Sequence, residues 1–180
     1  KGRLYKKQTS KPKAVVVAVH GFHSTGLRDM GRFADMYLRN GFDYLIISQR
    51  SHFDSEGEYL TFGVKESQDV LDWVNIVCKI YTPEIPIILH GVSMGAATVL
   101  ITSGIYENRL EGNSKPNIVC CIADSPYTDI LSQAEYLLGN RHSIIKSILI
   151  GLFKANMRLR AKVKVRDASP LAIMKNIGHM

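Results

Sequence analysis

A serine flanked by two glycines is the residue of this sequence best suited to covalent chemistry. Gly91, Val92, Ser93, Met94 and Gly95 form a G-x-S-x-G motif, which follows an apolar run and precedes a stretch rich in small residues. In such a turn from strand to helix the serine is strained and exposed, and the glycines let neighbouring backbone approach without a Cβ clash. The motif predicts that Ser93 is a nucleophile for acyl transfer, with an ordinary Gly-Ser turn as the alternative.

Acyl transfer to a serine also needs two backbone N–H donors aimed at the oxygen that becomes negatively charged. One donor is expected from Met94, directly after the nucleophile, and the other from a loop that follows an earlier strand. His20–His23 follows the apolar run Ala14–Val19, so Phe22 is the predicted second donor. We expect both histidines of this segment to pack and hydrogen-bond in the loop, because a triad histidine should follow the nucleophile in the chain.

Four apolar runs rich in Val and Ile are predicted strands that could position these groups. They are Ala14–Val19, Tyr44–Ile47, Pro86–His90 and Ile118–Ala123. Their continuous apolarity is typical of parallel strands buried on both faces. Helical spacing between them predicts helices over about Leu27–Asn40, about Lys65–Ile80 and after Ser93. The alternation indicates the α/β class, with a mostly parallel sheet and flanking helices.

This alternation stops after Ala123, where two helical patterns follow each other with no strand between them. The patterns cover Asp129–Leu138 and Ser143–Leu159. Two such helices are predicted to form a helical cap after the fourth strand, over one edge of the sheet. The predicted division is a core over residues 1–127, a cap insertion over residues 128–168 and a return toward the core over residues 169–180.

The second of these helices carries an apolar stripe, formed by Ile145, Ile148, Leu149, Leu152, Phe153 and Leu159. Lys146, Lys154 and Arg158 lie off the stripe. Because a cap helix must bury its apolar face, we expect the stripe to turn inward and line an apolar acyl pocket over Ser93. The alternative is an interfacial helix whose stripe lies on anionic lipid.

The net charge of +7 is concentrated toward one end of the sequence. Residues 141–180 contain nine Lys and Arg side chains against one acidic side chain, that of Asp167. Phe153 is the single Phe, Trp or Tyr among them, so the aromatic interleaving typical of nucleic-acid binding is missing. We expect a solvated basic face that binds no nucleic acid and allows weak association with membrane surfaces.

Neither the cysteines nor other ligand types indicate a cofactor or a metal. Cys78, Cys120 and Cys121 are too few for a disulfide framework, and the last two lie in an apolar run where packing is their expected role. No Cys/His or carboxylate spacing indicates a metal site. The apolar runs are too short to cross a bilayer, so we expect a cytoplasmic protein, with an anchor upstream of Lys1 left open.

The chain resembles an α/β-hydrolase-fold serine hydrolase of the esterase and peptidase-like group, and is most similar to the BEM46-like branch. The matching landmarks are His20-Gly21-Phe22, Gln49-Arg50 with Ser55-Glu56-Gly57, Thr61-Phe62-Gly63, Asp72-Trp73, Gly91–Gly95 and Ala123–Tyr127. The resemblance implies attack of Ser93 on an ester, thioester or amide carbonyl of a small-molecule or peptide substrate, without a cofactor. It leaves the oligomeric state open. The alternative is a non-catalytic binding protein of this fold, or an inactive fragment.

The resemblance also implies that the stretch is truncated at both ends: one or two opening strands are expected before it, and the triad acid and histidine are expected after Ile177, in strands and loops that family members carry there. Asp124 ends a predicted strand, but its expected role is to cap the next helix and to shape the loop with Ser125 and Pro126.

The remaining histidines offer no better triad member. Chain order allows His142 and His179 to follow an acid, but neither lies in a loop at a strand end. His52 and His90 are expected to be structural. The sequence therefore predicts a nucleophile and an oxyanion hole, with the other two triad members outside this stretch.

Overall fold

One sheet lies at the centre of the computed structural model of this protein, which describes residues 1–7, 11–109, 115–139 and 142–176. Within these residues the sheet has five strands, namely β1 Gly2–Tyr5, β2 Val15–Val19, β3 Asp43–Ile47, β4 Ile87–Val92 and β5 Ile118–Asp124. Their order across the sheet is β1-β3-β2-β4-β5. All neighbouring pairs are parallel except β1 and β3. The predicted α/β class with a mostly parallel sheet is confirmed.

The central strand β2 explains why its sequence is apolar without a break. Val15, Val17 and Val19 face a core that includes Val70 and Val74 of the next long helix. On the other face, the alternate residues of β2 pack in a second core around Met30, Tyr37 and Tyr44. Because side chains alternate between the faces of a strand, a strand covered on both sides has no polar positions.

Helices cover both faces of the sheet. Before β5 they are α1 Gly26–Met30, α2 Ala34–Arg39, α3 Val64–Ile80 and α4 Met94–Arg109. The single helix predicted over about 27–40 is instead two short helices joined by a 3-10 turn over Gly31–Phe33. Glycine is a poor helix former, so Gly31 weakens the helix at the point where it breaks.

Two further helices, α5 Ile130–Leu138 and α6 Ser143–Leu159, follow β5 with no strand between them in the described residues. We call them the helical pair. A 3-10 turn over Val165–Asp167 and the helix α7 Pro170–Asn176 come next, and α7 packs against α4. The predicted division at residues 127 and 168 stays a prediction. In the described part of the chain, no helix combines the length and apolarity needed to cross a bilayer.

The predicted inward orientation of the α6 stripe is wrong for most of its residues. Ile148 is 56% exposed and Leu152 is 62% exposed, whereas Phe153 is partly buried and packs on the protein. The buried face instead includes Met157, which is 4% exposed. The helix is apolar on two opposite faces. The face that carries Phe153 and Met157 packs against the protein, and the other face is exposed.

Candidate active site

Ser93 lies at the junction between β4 and α4, in the left-handed backbone region. Its φ is 55°, a conformation that costs a non-glycine residue about 1–2 kcal/mol. The residue is exposed, although both of its neighbours in the chain are at least partly buried. Its backbone N–H donates to the Asp124 carbonyl oxygen at 2.8 Å, which ties the turn to the end of β5. The predicted strand-to-helix junction is therefore present, with the serine side chain at its tip.

The two glycines of the motif are required by backbone contacts. A Cβ on Gly91 would lie 2.2 Å from the carbonyl oxygen of Gly95, and a Cβ on Gly95 would lie 2.2 Å from that of Val19. A Cβ on Gly21 would lie 3.2 Å from the Cβ of Ser93, so the loop after β2 passes directly beside the serine. Small residues thus allow two loops and a helix to meet at one point.

Each of the two predicted oxyanion donors directly follows one of the residues that meet here: Met94 follows Ser93, and Phe22 follows Gly21. Met94 is the first residue of α4, where backbone N–H groups have no partner within the helix. The ring of Phe22 is half-exposed. Over the described residues, no hydrogen bond uses the backbone N–H of either residue or the hydroxyl of Ser93. Neither N–H group is therefore committed to an acceptor in the described residues.

Asp29, a residue that sequence reasoning missed, holds the loop beside Ser93. Its carboxylate accepts from the Gly21 N–H at 2.8 Å and from the Ser24 hydroxyl at 2.6 Å. Thr25 is the N-cap of α1, and its hydroxyl accepts a hydrogen bond from the Arg28 N–H at 3.2 Å. The available signal was a carboxylate in the first turn of a helix that follows the loop directly.

Ser93 lies on the border of two hollows of different character. One hollow, of about 410 Å³, is mainly apolar and is walled by side chains that include Phe62, Tyr127, Leu137 and Phe153. The other hollow, of about 430 Å³, is polar and is lined by His23, Ser24, Arg28, Asp29 and Arg32, among others. The helical pair contributes Leu137 and Phe153 to the apolar wall, so the predicted apolar pocket is present with Phe153 as its contact from the α6 stripe.

A buried carboxylate positions Phe62 in the apolar wall. Glu66 is 1% exposed and accepts from the Thr61 N–H, the Thr61 hydroxyl and the Gly63 N–H at 2.6–2.9 Å. Phe62 and Gly63 both have positive φ, 51° and 94°. The Tyr127 hydroxyl donates to the Phe62 carbonyl at 2.7 Å. The sequence marked Thr61–Gly63 as a landmark without indicating that Glu66 shapes it.

Comparison with known families assigns this architecture. The family described as "Serine aminopeptidase, S33" matches residues 10–168 of the sequence. The chain belongs to this family. The predicted α/β-hydrolase resemblance is thereby confirmed, and the narrower placement in the BEM46-like branch stays a prediction.

Individual proteins are similar to this S33-family chain in sequence or in structure. The chain is 25% identical over 166 residues to the uncharacterized protein YqkD of Bacillus subtilis (strain 168), covering 92% of this chain and 52% of that protein. An α/β hydrolase from Vibrio vulnificus is similar in structure, with a TM-score of 0.65, 19% identity and coverage of 90% and 53%. Est1E from Butyrivibrio proteoclasticus, with ferulic acid bound, has a TM-score of 0.63, 21% identity and coverage of 79% and 56%. The S33-family chain spans about half the length of these relatives.

Both ring nitrogens of His20 form hydrogen bonds with other residues of the S33-family chain. Its Nε2 accepts from the Gln49 N–H at 3.0 Å, so its Nδ1 carries the proton and donates to the Gly21 carbonyl at 2.7 Å. The ring is fully buried, and burial lowers its pKa. The predicted packing and hydrogen-bonding role of His20 is confirmed.

Among the other histidines, His23 is exposed and its ring packs on that of Phe22. His52 accepts at Nε2 from the His23 N–H at 3.3 Å and contacts the Arg50 carbonyl through Nδ1 at 2.9 Å. His90 is buried and shares a 2.9 Å hydrogen bond with the Tyr37 hydroxyl. His142 precedes α6 and is exposed, while His179 lies outside the described residues.

Asp124 shapes the loop after β5 in this S33-family chain, as predicted. Its carboxylate accepts from the Ser125 hydroxyl at 2.9 Å and lies 3.8 Å from the Arg32 guanidinium. The predicted capping role is wrong, because Asp129 caps α5 by accepting from the Ser132 N–H at 2.8 Å. Asp129 directly precedes the helix, whereas Asp124 is separated from it by the loop. Among the described residues there is no cluster of metal-ligating side chains.

Proposed function

We propose that the protein is a serine hydrolase that cleaves an ester, thioester or amide bond with Ser93 as its nucleophile. The observation that carries this proposal is the strained and exposed Ser93 beside two free backbone N–H groups. Backbone strain at non-glycine residues tends to cluster at functional sites. Ser51 and Ser125 have a similar positive φ, so what distinguishes Ser93 is the combination of this backbone conformation with the strand-to-helix junction and the two N–H groups beside it.

In the proposed reaction the Ser93 Oγ attacks the carbonyl carbon of the substrate, and the carbonyl oxygen becomes an oxyanion. The N–H groups of Phe22 and Met94 donate to that oxyanion, and one such donor is worth about 3 kcal/mol of transition-state stabilisation. The Ser93 proton passes to a base and then to the leaving group, which departs to give an acyl-enzyme. Water attacks the acyl-enzyme and regenerates the serine.

We propose that the base and its acid partner are supplied by a part of the full-length protein outside the described residues. The ring nitrogens of His20 are both used, and the contacts of His52 and His90 tie them to other groups. His23 lines the polar hollow with Ser93, but it precedes the nucleophile in the chain, which is not the order of the triad in this fold. The chain spans about half the length of its relatives, which leaves room for both residues.

The two hollows suggest how a substrate would lie. We propose that the helical pair acts as the cap, with Phe153 and Leu137 against an apolar acyl group. The leaving group would then face Arg28 and Arg32 in the polar hollow. This arrangement favours substrates with an apolar acyl part and a polar leaving group, either small molecules or peptides.

A fluorophosphonate probe tests the proposal on the full-length protein, because it reacts preferentially with activated serines. We expect labelling of the wild type, loss of labelling in Ser93→Ala, and unchanged labelling in Ser147→Ala, whose serine is exposed on α6. Mass spectrometry should locate the adduct on Ser93. An unlabelled but folded wild type would contradict the proposal.

A non-catalytic binding protein is the second candidate, and it is favoured by the absence of any described partner for the Ser93 hydroxyl. It predicts that the apolar hollow binds an acyl ester without turnover. Calorimetry with such an ester, followed by chromatography of the mixture, separates the two functions: recovery of the intact ester favours binding, and recovery of the free acid favours hydrolysis.

A further inference from the structure

The outward side of α6 is an apolar surface that the proposed reaction does not use. It is formed by six residues that are 39–76% exposed, namely Ile144, Ile145, Ile148, Leu149, Leu152 and Leu159. We call this the outer face. Isolated exposed apolar residues are ordinary, but a contiguous row of large ones marks an interaction surface.

Helix geometry separates the outer face from the apolar hollow. At 3.6 residues per turn, the outer face lies on the opposite side of the helix from Phe153 and Met157. Phe153 and Met157 contact the protein interior, and Phe153 lines the hollow beside Ser93. A substrate in that hollow therefore leaves the outer face uncovered.

The neighbouring helix extends this apolar surface toward the hollow. Tyr136 and Leu137 of α5 are 80% and 72% exposed, and α5 packs against α6. Leu137 thus belongs both to the exposed apolar surface of the helical pair and to the wall of the apolar hollow.

Exposed cations follow the outer face directly along the chain. From residue 160 to residue 166, buried and exposed side chains alternate: Ala161, Val163 and Val165 are buried, and the residues between and beside them are exposed. The exposed members are all basic, namely Arg160, Lys162, Lys164 and Arg166. We call these four residues the basic row. Within α6 there is no acidic side chain, and Lys154 and Arg158 are exposed as well.

We propose that the outer face and the basic row dock on a membrane surface that contains anionic lipid. An interfacial helix places its apolar side among the acyl chains, while flanking Lys and Arg contact anionic headgroups. A symmetric second copy is disfavoured as the occupant, because it would bring two basic rows together.

Co-sedimentation of the full-length protein with vesicles tests the lipid preference. We expect binding to vesicles of phosphatidylcholine mixed with phosphatidylglycerol, and much weaker binding to phosphatidylcholine alone. Leu152→Glu should lower the partition coefficient roughly tenfold or more, because a charge replaces an inserted apolar group. Lys164→Gln should lower it about fivefold, with a smaller effect at high salt. Ser147→Glu adds the same charge at an exposed position of α6 outside the outer face, and should have a smaller effect than Leu152→Glu.

A local measurement distinguishes the outer face from any other segment that holds the protein on vesicles. The sequence contains a single tryptophan, Trp73, and its signal in the wild type serves as the background. We expect brominated acyl chains to quench the added fluorescence of a Leu152→Trp variant strongly, and that of a Ser147→Trp variant weakly. Equal quenching of the two variants would overturn the proposal.

Two further outcomes also decide against docking. If Leu152→Glu leaves vesicle binding unchanged, the outer face does not contact lipid. If Leu152→Glu converts a dimer into a monomer in sedimentation, a second copy covers the outer face. Ser93→Ala should bind vesicles like the wild type, so a failure of the proposed hydrolase function is distinguishable from a failure of this inference.

Discussion

The turn at Ser93 and the helix α6 are held in place by contacts of different kinds. Around Gly91 and Gly95, main-chain atoms approach so closely that a Cβ on either glycine would lie 2.2 Å from a carbonyl oxygen. In α6, a Cβ on Gly151 would meet nothing within 4 Å. The turn is thus fixed by rigid backbone packing, and α6 by a few side chains on one face. The same substitution should therefore have opposite effects in the two regions.

The largest expected effect comes from Gly95→Ala. The new methyl group would overlap the carbonyl oxygens of Val19 and His20, and neither strand β2 nor helix α4 can shift without disturbing the core. We expect the free energy of unfolding to fall by about 3 kcal/mol, measured by urea denaturation. An unchanged denaturation midpoint would show that the turn adapts more than its contacts suggest.

The loop that carries Phe62 is an intermediate case, because a side chain and not the backbone determines its shape. Glu66→Ala removes an acceptor that serves three buried donors. We expect a loss of about 2–3 kcal/mol in the free energy of unfolding, since hydrogen bonds to charged groups are strong and their donors would be left unpaired. Glu58→Ala, at an exposed position, is the matched control and should have almost no effect. Similar losses in both variants would contradict this role.

Acid should destabilise the region around the turn through its buried histidines. Burial lowers the pKa of His20 and of His90 below 6.5. The unfolded chain therefore binds more protons than the folded chain below pH 6.5, so stability is full above that pH and falls as the pH decreases. The slope can reach about 1.4 kcal/mol per pH unit for each ring. Urea midpoints across the pH range would measure it, and His90→Gln, which removes one of the two buried rings, should reduce the slope. A free energy of unfolding that does not change between neutral and acidic pH would contradict this prediction.

The smallest expected effect has the opposite sign and lies in α6. Gly151→Ala places a methyl group in open space within a helix. We expect the free energy of unfolding to rise by up to about 1 kcal/mol, because alanine loses less backbone entropy than glycine in a helix interior. Urea denaturation beside Gly95→Ala tests the contrast directly. A destabilised Gly151→Ala variant would mean that α6 is packed more tightly than its contacts indicate.

The sequence was most informative where local spacing alone determines the structure. The glycines around Ser93 and the unbroken apolar run of β2 each require a single local arrangement, and both were predicted correctly. Strand β1 was not predicted as part of the sheet. It is short and lies at the edge, and among the described strands it pairs with β3 alone, so its sequence lacks the apolar run of a buried strand.

The sequence was least informative where contacts between distant segments determine the structure. Asp29 and Glu66 act by accepting hydrogen bonds from loop backbone, and carboxylates near helix starts are too common for this role to be evident. The orientation of α6 was predicted wrongly because both of its faces are apolar. Only the fold shows that Phe153 and Met157, and not Leu152, face the interior.

The positive φ of Ser93 has a consequence for the evolution of this position. Glycine adopts a left-handed backbone without the steric cost that serine bears, and asparagine tolerates it better than most residues. Replacement of Ser93 by glycine would therefore relax the turn while removing the hydroxyl. In a lineage with no use for that hydroxyl, random substitution would tend to lose the serine, because the fold itself favours its replacement.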